Sequence, residues 1–101
     1  MKNKMRPIHP GEILRDEYLL PLRLSANALA QTLGVPANRI SGIVAGKRTV
    51  TADTALRLAR AFKTSPELWL NLQQAFDLRT AELAAGPAVR AIKPIGRGRA
   101  A

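Results

Sequence analysis

The sequence predicts an all-α fold, a bundle of five helices, and three observations support this prediction. Apolar residues recur at three- and four-residue spacing between residues that start and stop helices. The one alternating β-branched stretch, at residues 49–51, is too short for a strand. A chain of 101 residues can bury one core, and the absence of cysteine excludes disulfides and thiolate metal ligands.

The first helix is predicted to open at His9 and Pro10, because proline suits the first helical position, and to stop at Pro21. Its apolar stripe consists of Ile13, Leu14 and Tyr18. The second helix is predicted to begin after a capping Ser25 and to end at Gly34, which tolerates a positive φ. Its inward residues are Leu29, Ala30 and Leu33.

The third helix is predicted to start around Pro36 and Ala37 and to close at Gly46. It buries the apolar residues at helical spacing, namely Ile40, Ile43 and Val44. Thr51 is predicted to cap the fourth helix, with Asp53 in its first turn. The inward stripe of this fourth helix consists of Ala55, Leu56, Ala59 and Phe62.

The fifth helix is predicted to start after Ser65 and to run to about Leu78, with an extension over 79–85. Its core side consists of Leu68, Trp69, Leu72 and Phe76. Leu70 points elsewhere, and this surplus apolar surface makes Leu70 and Trp69 candidate dimer contacts. The chain therefore divides into a basic N-terminal arm at 1–8, a helical domain at 9–78, the extension, and a disordered basic tail at 86–101.

The formal net charge of +9 is concentrated at the two ends of the chain. Lys2, Lys4 and Arg6 lie in the first six residues, and four more cations lie in residues 86–101. The body at 7–85 carries nine basic and seven acidic residues, so it is only mildly basic. Such tails either add sequence-independent attraction to nucleic acid or keep the protein in solution, and the sequence leaves both readings open.

No Asp or Glu occurs between Glu17 and Asp53. This interval contains the second and third helices joined by a glycine turn, the helix-turn-helix shape that places a helix in the major groove of DNA. Because phosphate repels carboxylates, a surface that lies on a duplex should lack acids. The sequence therefore predicts that this region binds DNA.

The exposed face of the third helix and the following loop supply the DNA-binding candidates, namely Ala37, Asn38, Arg39, Ser41, Gly42, Lys47, Arg48 and Thr49. An asparagine in the first turn can pair with adenine, and an arginine can reach guanine or phosphate. The small residues at 37 and 42 let a helix approach the bases closely. The weaker candidates, for phosphate contacts, are Asn27, Gln31 and Thr51.

No catalytic site, metal site or cofactor is predicted. His9 is the single histidine and lies at a helix start without a carboxylate or nucleophile beside it, which indicates a structural role. A ribonuclease is excluded because the chain offers no general acid–base pair. No apolar run approaches the ~20 residues that span a membrane, and the N-terminus does not resemble a secretory signal, so we expect a cytoplasmic protein.

Six motifs together resemble the HigA-type antitoxins of the Xre/Cro–repressor class: HPGEIL at 9–14, LAQTLGV at 29–35, RI at 39–40, GKR at 46–48, TADTALRLA at 51–59 and SPELWLNLQ at 65–73. The resemblance covers roughly residues 7–78. It implies a lambda-repressor-like DNA-binding domain of five helices that forms a homodimer. It also implies recognition through Ala37, Asn38, Ser41 and Gly42, with backbone contacts near Lys47 and Arg48.

The function implied by the resemblance is repression of the protein's own operon by binding a palindromic operator, together with neutralisation of a HigB-type ribonuclease toxin. The leading alternative is a stand-alone or phage-type regulator of the same class without a toxin. A further alternative is an RNA-binding or nucleoid-type protein with nonspecific affinity, which the basic tails would favour. A toxin-binding surface has no readable motif, so the sequence does not separate the first two.

Overall fold

The computed structural model describes residues 6–96, and the five predicted helices are present. We label them α1 (10–22), α2 (Ala26–Leu33), α3 (Ala37–Val44), α4 (Ala52–Phe62) and α5 (Pro66–Arg90). None of residues 6–96 forms a strand, so the all-α prediction is confirmed. Most of the predicted N-terminal arm and the last five residues of the predicted tail lie outside the described residues.

Helix α1 continues through Pro21, so the prediction that this proline stops the helix is wrong. The helix consists of an α-helical turn at Pro10–Ile13, a π-helical segment at Leu14–Leu19 and a last α-helical turn at Leu20–Leu22. Pro21 therefore lies in the first turn of a new segment, where a missing N–H is tolerated. The helix ends two residues later, at Arg23 in the left-handed conformation.

The predicted helix starts are confirmed by side-chain caps on four helices. A first-turn backbone N–H donates to each capping side chain: Gly11 to His9 at 2.9 Å, Ala28 to Ser25 at 3.0 Å, Thr54 to Thr51 at 3.4 Å and Leu68 to Ser65 at 3.1 Å. Each bond satisfies one of the N–H groups that a helix start leaves without a partner. Gly34 ends α2 with a φ of 72°, as predicted from its tolerance of positive φ.

The core is built around Trp69, which is fully buried and contacts two other aromatic rings. Its ring centroid lies 5.2 Å from that of Tyr18 and 6.4 Å from that of Phe62. The indole Nε1–H donates to the Thr64 hydroxyl at 2.9 Å, so this buried polar group is satisfied. Because Trp69 has no exposed surface to offer a second copy, its prediction as a dimer contact is wrong.

Two predictions of inward-facing residues are also wrong. Leu56 is 59% exposed on α4, and Leu58 is fully buried in its place, because the buried face follows the spacing of residues 55, 58, 59 and 62. On α5, Leu68 is exposed whereas Leu70 packs against the core. Helices α4 and α5 carry leucines on more than one face, so the positions of apolar residues do not show which face is buried.

Helix α5 runs through Gly86 and Pro87 to Arg90, so the prediction that the helical extension ends at residue 85 and that a disordered tail follows is wrong for residues 86–90. Proline removes one intrahelical hydrogen bond, and the Pro87 carbonyl still accepts from Ala91 N–H at 3.1 Å. The Arg90 guanidinium packs over Gly86, leaving 2.9 Å between Nη1 and the position a Cβ would take. The long helix gives the described residues an extended shape of 54 × 30 × 23 Å. Within residues 6–96, no helix combines the length and apolarity needed to cross a bilayer.

Candidate nucleic-acid interface

Helix α3 buries one face and exposes the other, as a helix that enters a groove requires. Ile40 and Ile43 are fully buried, while Ala37, Asn38 and Ser41 are exposed. The α2–α3 turn is held by a hydrogen bond from Val35 N–H to the Ala30 carbonyl at 3.0 Å. The exposed face therefore presents small and polar side chains on a helix whose orientation the core determines.

The loop after α3 is held by bonds from its backbone. The N–H groups of Lys47 and Arg48 both donate to the Gly42 carbonyl, at 2.8 and 3.1 Å. Val50 N–H donates to the side-chain oxygen of Gln73, a buried residue of α5, at 2.8 Å. The loop is therefore attached to α3 at one end and to α5 at the other.

Gln73 is a residue that sequence reasoning missed. Its side-chain nitrogen donates to Asp77 Oδ1 at 3.0 Å while its oxygen accepts from Val50 N–H, so both ends of the amide are bonded. The signal available in the sequence was a glutamine four residues after the buried Trp69, on the same face of α5. A polar residue on a core face indicates a buried hydrogen-bonding role.

The structure brings several predicted DNA-binding residues together around one shallow depression. Its lining residues are Arg39, Lys47, Arg48, Thr49, Thr51 and Thr54. This set joins the side of α3, the following loop and the start of α4. It presents three cations and several hydroxyl groups, which are donors that suit phosphate oxygens. The Thr51 hydroxyl, a weaker phosphate candidate, is already engaged as the cap of α4.

Arg39 is paired with an acid, contrary to the prediction that no carboxylate lies near the DNA-facing cations. Its Nη1 lies 2.6 Å from Oδ2 of Asp53, and Arg57 Nε lies 3.0 Å from the same oxygen. Hydrogen bonds from Arg39 and then from Arg57 lower the pKa of the Asp53 carboxyl, which remains ionised at neutral pH. The sequence interval free of acids therefore ends at a residue that folds back onto this surface.

Gly42 is covered by the side chain of Arg48. A Cβ at Gly42 would lie 2.7 Å from Cδ and 2.8 Å from Cγ of Arg48, closer than nonbonded carbon atoms come. The bare backbone of α3 therefore gives the arginine a place to lie across the helix. The sequence predicts that Gly42 lets α3 approach DNA closely. In the structure this glycine also makes room for the Arg48 side chain.

The remaining predicted residues lie apart from the depression. Asn27 and Gln31 are exposed on α2, and Leu70 is half-buried against the core. His9 is buried as the cap of α1 with its ring centroid 4.9 Å from that of Phe76, in agreement with a structural role. Burial is the largest effect on the pKa of His9 and lowers it, so the imidazole is neutral at neutral pH.

Comparison with known proteins defines the class. The helix-turn-helix family HTH_3 matches residues 16–69, which span the end of α1 through the start of α5. The chain therefore belongs to this helix-turn-helix family. The matched segment contains α3, the following loop and the start of α4, the elements that build the depression.

Three relatives show which proteins of this family the chain resembles. Virulence-associated protein I of Dichelobacter nodosus is 58% identical over 81 residues, which cover 80% of this chain and 75% of that protein. Antitoxin HigA-1 of Vibrio cholerae is 43% identical over 77 residues, covering 76% and 72%. The structure of the Pseudomonas aeruginosa antitoxin HigA with the higBA promoter has a TM-score of 0.86 at 47% identity, covering 90% of this chain and all of that one. The resemblance to HigA-type antitoxins is thereby confirmed.

Proposed function

We propose that this protein is a sequence-specific DNA-binding repressor, the antitoxin of a HigBA-type pair that represses its own operon and neutralises a ribonuclease toxin. The observation that carries the proposal is the single surface formed by the exposed face of α3 and the cationic loop after it. A HigA relative of the same fold was solved with its promoter, which supports the same mode of binding here.

Two groups of side chains divide the work of DNA recognition in this proposal. Asn38 and Ser41, exposed on the first turns of α3, face the base edges in the major groove. Lys47, Arg48 and Thr49 contact the phosphates, which sets the register of the helix on the duplex. Because the base-reading side chains are few, most of the affinity comes from phosphate contacts and falls steeply with salt.

A homodimer on a palindromic operator is part of the proposal, since proteins of this kind read two half-sites. The described chain exposes large apolar side chains on the distal half of α5, including Leu78, Leu83 and Val89. The monomer leaves these apolar side chains exposed to water, and a second copy of the chain or a toxin would bury them. Leu70 remains a predicted dimer contact.

The proposal includes no enzymatic activity, because a repressor and antitoxin acts by binding. It places the protein in the cytoplasm, where its operator would be. The alternative of a stand-alone regulator without a toxin shares the DNA-binding surface and differs in its partner. The neighbouring gene distinguishes the two: an antitoxin requires a small ribonuclease encoded beside it.

The test compares binding to the DNA upstream of the protein's own gene with binding to a random duplex of equal length and composition. We expect Asn38→Ala to weaken promoter binding about tenfold, because a good bidentate contact between a side chain and a base is worth roughly 1–3 kcal/mol. The same substitution should leave the affinity for the random duplex unchanged. Gln74→Ala, a substitution at an exposed site on α5, is the control. Equal wild-type affinity for the two duplexes would contradict specific repression.

The antitoxin part of the proposal is tested by co-expression with the product of the neighbouring gene. We expect a stable complex and relief of growth arrest. DNA binding with neither result would leave the stand-alone regulator as the function.

A further inference from the structure

A chain of polar contacts connects α2, α4 and the DNA-facing helix α3. Arg57 Nη1 donates to the Leu33 carbonyl at 2.8 Å, in the last turn of α2. The Nε of the same arginine lies 3.0 Å from Asp53 Oδ2, which also accepts from Arg39 Nη1 at 2.6 Å. Asp53 therefore links Arg39 to a guanidinium that is itself attached to the backbone of the preceding helix.

The location of Asp53 stabilises its negative charge. It lies in the first turn of α4, where the N-terminal end of the helix dipole favours an anion. Its two arginine partners make charge-assisted hydrogen bonds, which are shorter and stronger than neutral ones. The Arg39 side chain is restrained as well, with 32% of its surface exposed.

The pairing changes what Arg39 can do on DNA. An unrestrained arginine at this surface would reach any phosphate and would strengthen binding to every sequence. In its pair with Asp53, one donor of Arg39 is occupied and its charge is compensated, while the remaining N–H groups keep one orientation. Such an arginine strengthens DNA binding where a base edge or a phosphate lies in the direction of its remaining N–H groups. It adds little affinity at other DNA sequences.

We propose that Asp53 is a specificity-determining residue, which acts through Arg39 by suppressing its nonspecific contacts with phosphate. The inference rests on the proposed function, since it concerns discrimination between the operator and other DNA. Asp53 touches no DNA in this account, so it is a positioning residue. Its carboxylate lowers the affinity for random DNA more than the affinity for the operator.

Asp53→Asn tests the inference, because the amide keeps the size of the side chain and weakens the bond to Arg39. The substitution also weakens the bond from Arg57 Nε to this side chain, but Arg57 Nη1 has a second partner in the Leu33 carbonyl, so we expect Arg39 to be the side chain chiefly released. We expect affinity for a random duplex to rise about three- to tenfold and its salt dependence to steepen by about one phosphate contact. Affinity for the DNA upstream of the gene should change less than twofold, so the specificity ratio falls.

Glu67→Gln is the matched control, because Glu67 lies in the first turn of α5 and its removal changes net charge and helix-dipole interaction by the same amount. Arg39→Ala combined with Asp53→Asn is the second control. If Asp53 acts through Arg39, Asp53→Asn leaves the specificity ratio unchanged in the Arg39→Ala background. Thermal unfolding of each variant shows that the fold is intact.

Four results would overturn the inference. An unchanged specificity ratio in Asp53→Asn would show that the pairing does not control discrimination. A specificity ratio that falls equally in Glu67→Gln would assign the effect to net charge. A ratio that still falls in the Arg39→Ala background would show that Asp53 does not act through Arg39. A wild-type protein without preference for its own upstream DNA would overturn the proposed function, and this inference with it. Preference with an unchanged ratio would overturn the inference and leave the proposed function intact.

Discussion

Gly11 in α1 lies directly against the backbone carbonyl of Ile43 in α3. A Cβ on Gly11 would overlap that carbonyl oxygen, so the two helices meet backbone to backbone. Ile43 is fully buried and follows the exposed first turns of α3. The contact therefore allows α1 and α3 to approach each other closely.

Gly11→Ala should destabilise the fold, because neither backbone can move away without displacing its helix. Overpacking of this kind typically costs about 1–3 kcal/mol, and backbone overlap places Gly11 at the upper end. The measurement is the free energy of unfolding from denaturant titration. A variant as stable as the wild type would show that α1 can shift away from α3 without cost.

Gly42→Ala should leave stability unchanged or raise it, because alanine favours a helix interior by up to about 1 kcal/mol and the overlap is with an exposed side chain. The displaced side chain belongs to Arg48, so affinity for the promoter should fall severalfold. Titrations at several salt concentrations measure this loss. In the Arg48→Ala background the glycine substitution should cause no further loss, and an additional loss would assign Gly42 a separate role at the DNA.

Gln73→Leu should destabilise the protein by about 1–3 kcal/mol, because it leaves the buried Val50 N–H without an acceptor. The loop that carries Lys47 and Arg48 loses its attachment to α5, so promoter affinity should fall as well. Amide exchange at Val50 and denaturant titration measure the two effects. Gln74→Leu, at an exposed neighbouring site, is the control. Equal destabilisation by both substitutions would contradict a role for the hydrogen bond.

Stability should fall as the pH drops below about 6.5, because of His9. Burial lowers the pKa of His9 in the folded protein, and its Nδ1 accepts from Gly11 N–H, which a protonated ring cannot do. Between the folded pKa and the ordinary value of 6.5, the unfolded chain binds a proton that the folded protein does not. The stabilisation is therefore complete above 6.5 and decreases through the lower folded pKa.

Thermal unfolding between pH 8 and pH 5 measures this dependence. Arg6 Nη1 lies 2.7 Å from Glu12 Oε2 and lowers the pKa of that carboxyl, as Arg39 and Arg57 lower the pKa of Asp53, so both carboxyls titrate below that window. His9→Asn keeps a side-chain oxygen for capping and does not titrate, so its midpoint should be flat over this range. A pH slope that persists in the variant would assign the effect to another group.

The helix boundaries that sequence reasoning predicted correctly depend on local chemistry. Ser25, Thr51 and Ser65 each cap a helix through a bond to a backbone group three residues away, which is readable from the sequence. The acid-free interval predicts a DNA-binding region, and Arg39, Lys47 and Arg48, which line the depression, all come from it. Such features need no knowledge of how distant segments meet.

The errors concern features that depend on the surroundings. Local rules predict that Pro21 and Pro87 end helices, yet Pro21 lies in the last turn of α1 and Pro87 lies inside α5. Leu56 and Leu58 are equally apolar, and the position of the neighbouring helices decides which of them is buried.

Caps, turns and the five helices follow from the order of the residues, because their interactions join residues close in the chain. The partners of Arg39 and Val50 follow from the packing. Asp53 lies 14 residues from Arg39 and Gln73 lies 23 residues from Val50, so these bonds exist after α4 and α5 have packed. Packing energy from Trp69 and the other buried side chains places these groups together, and no local preference encodes that placement.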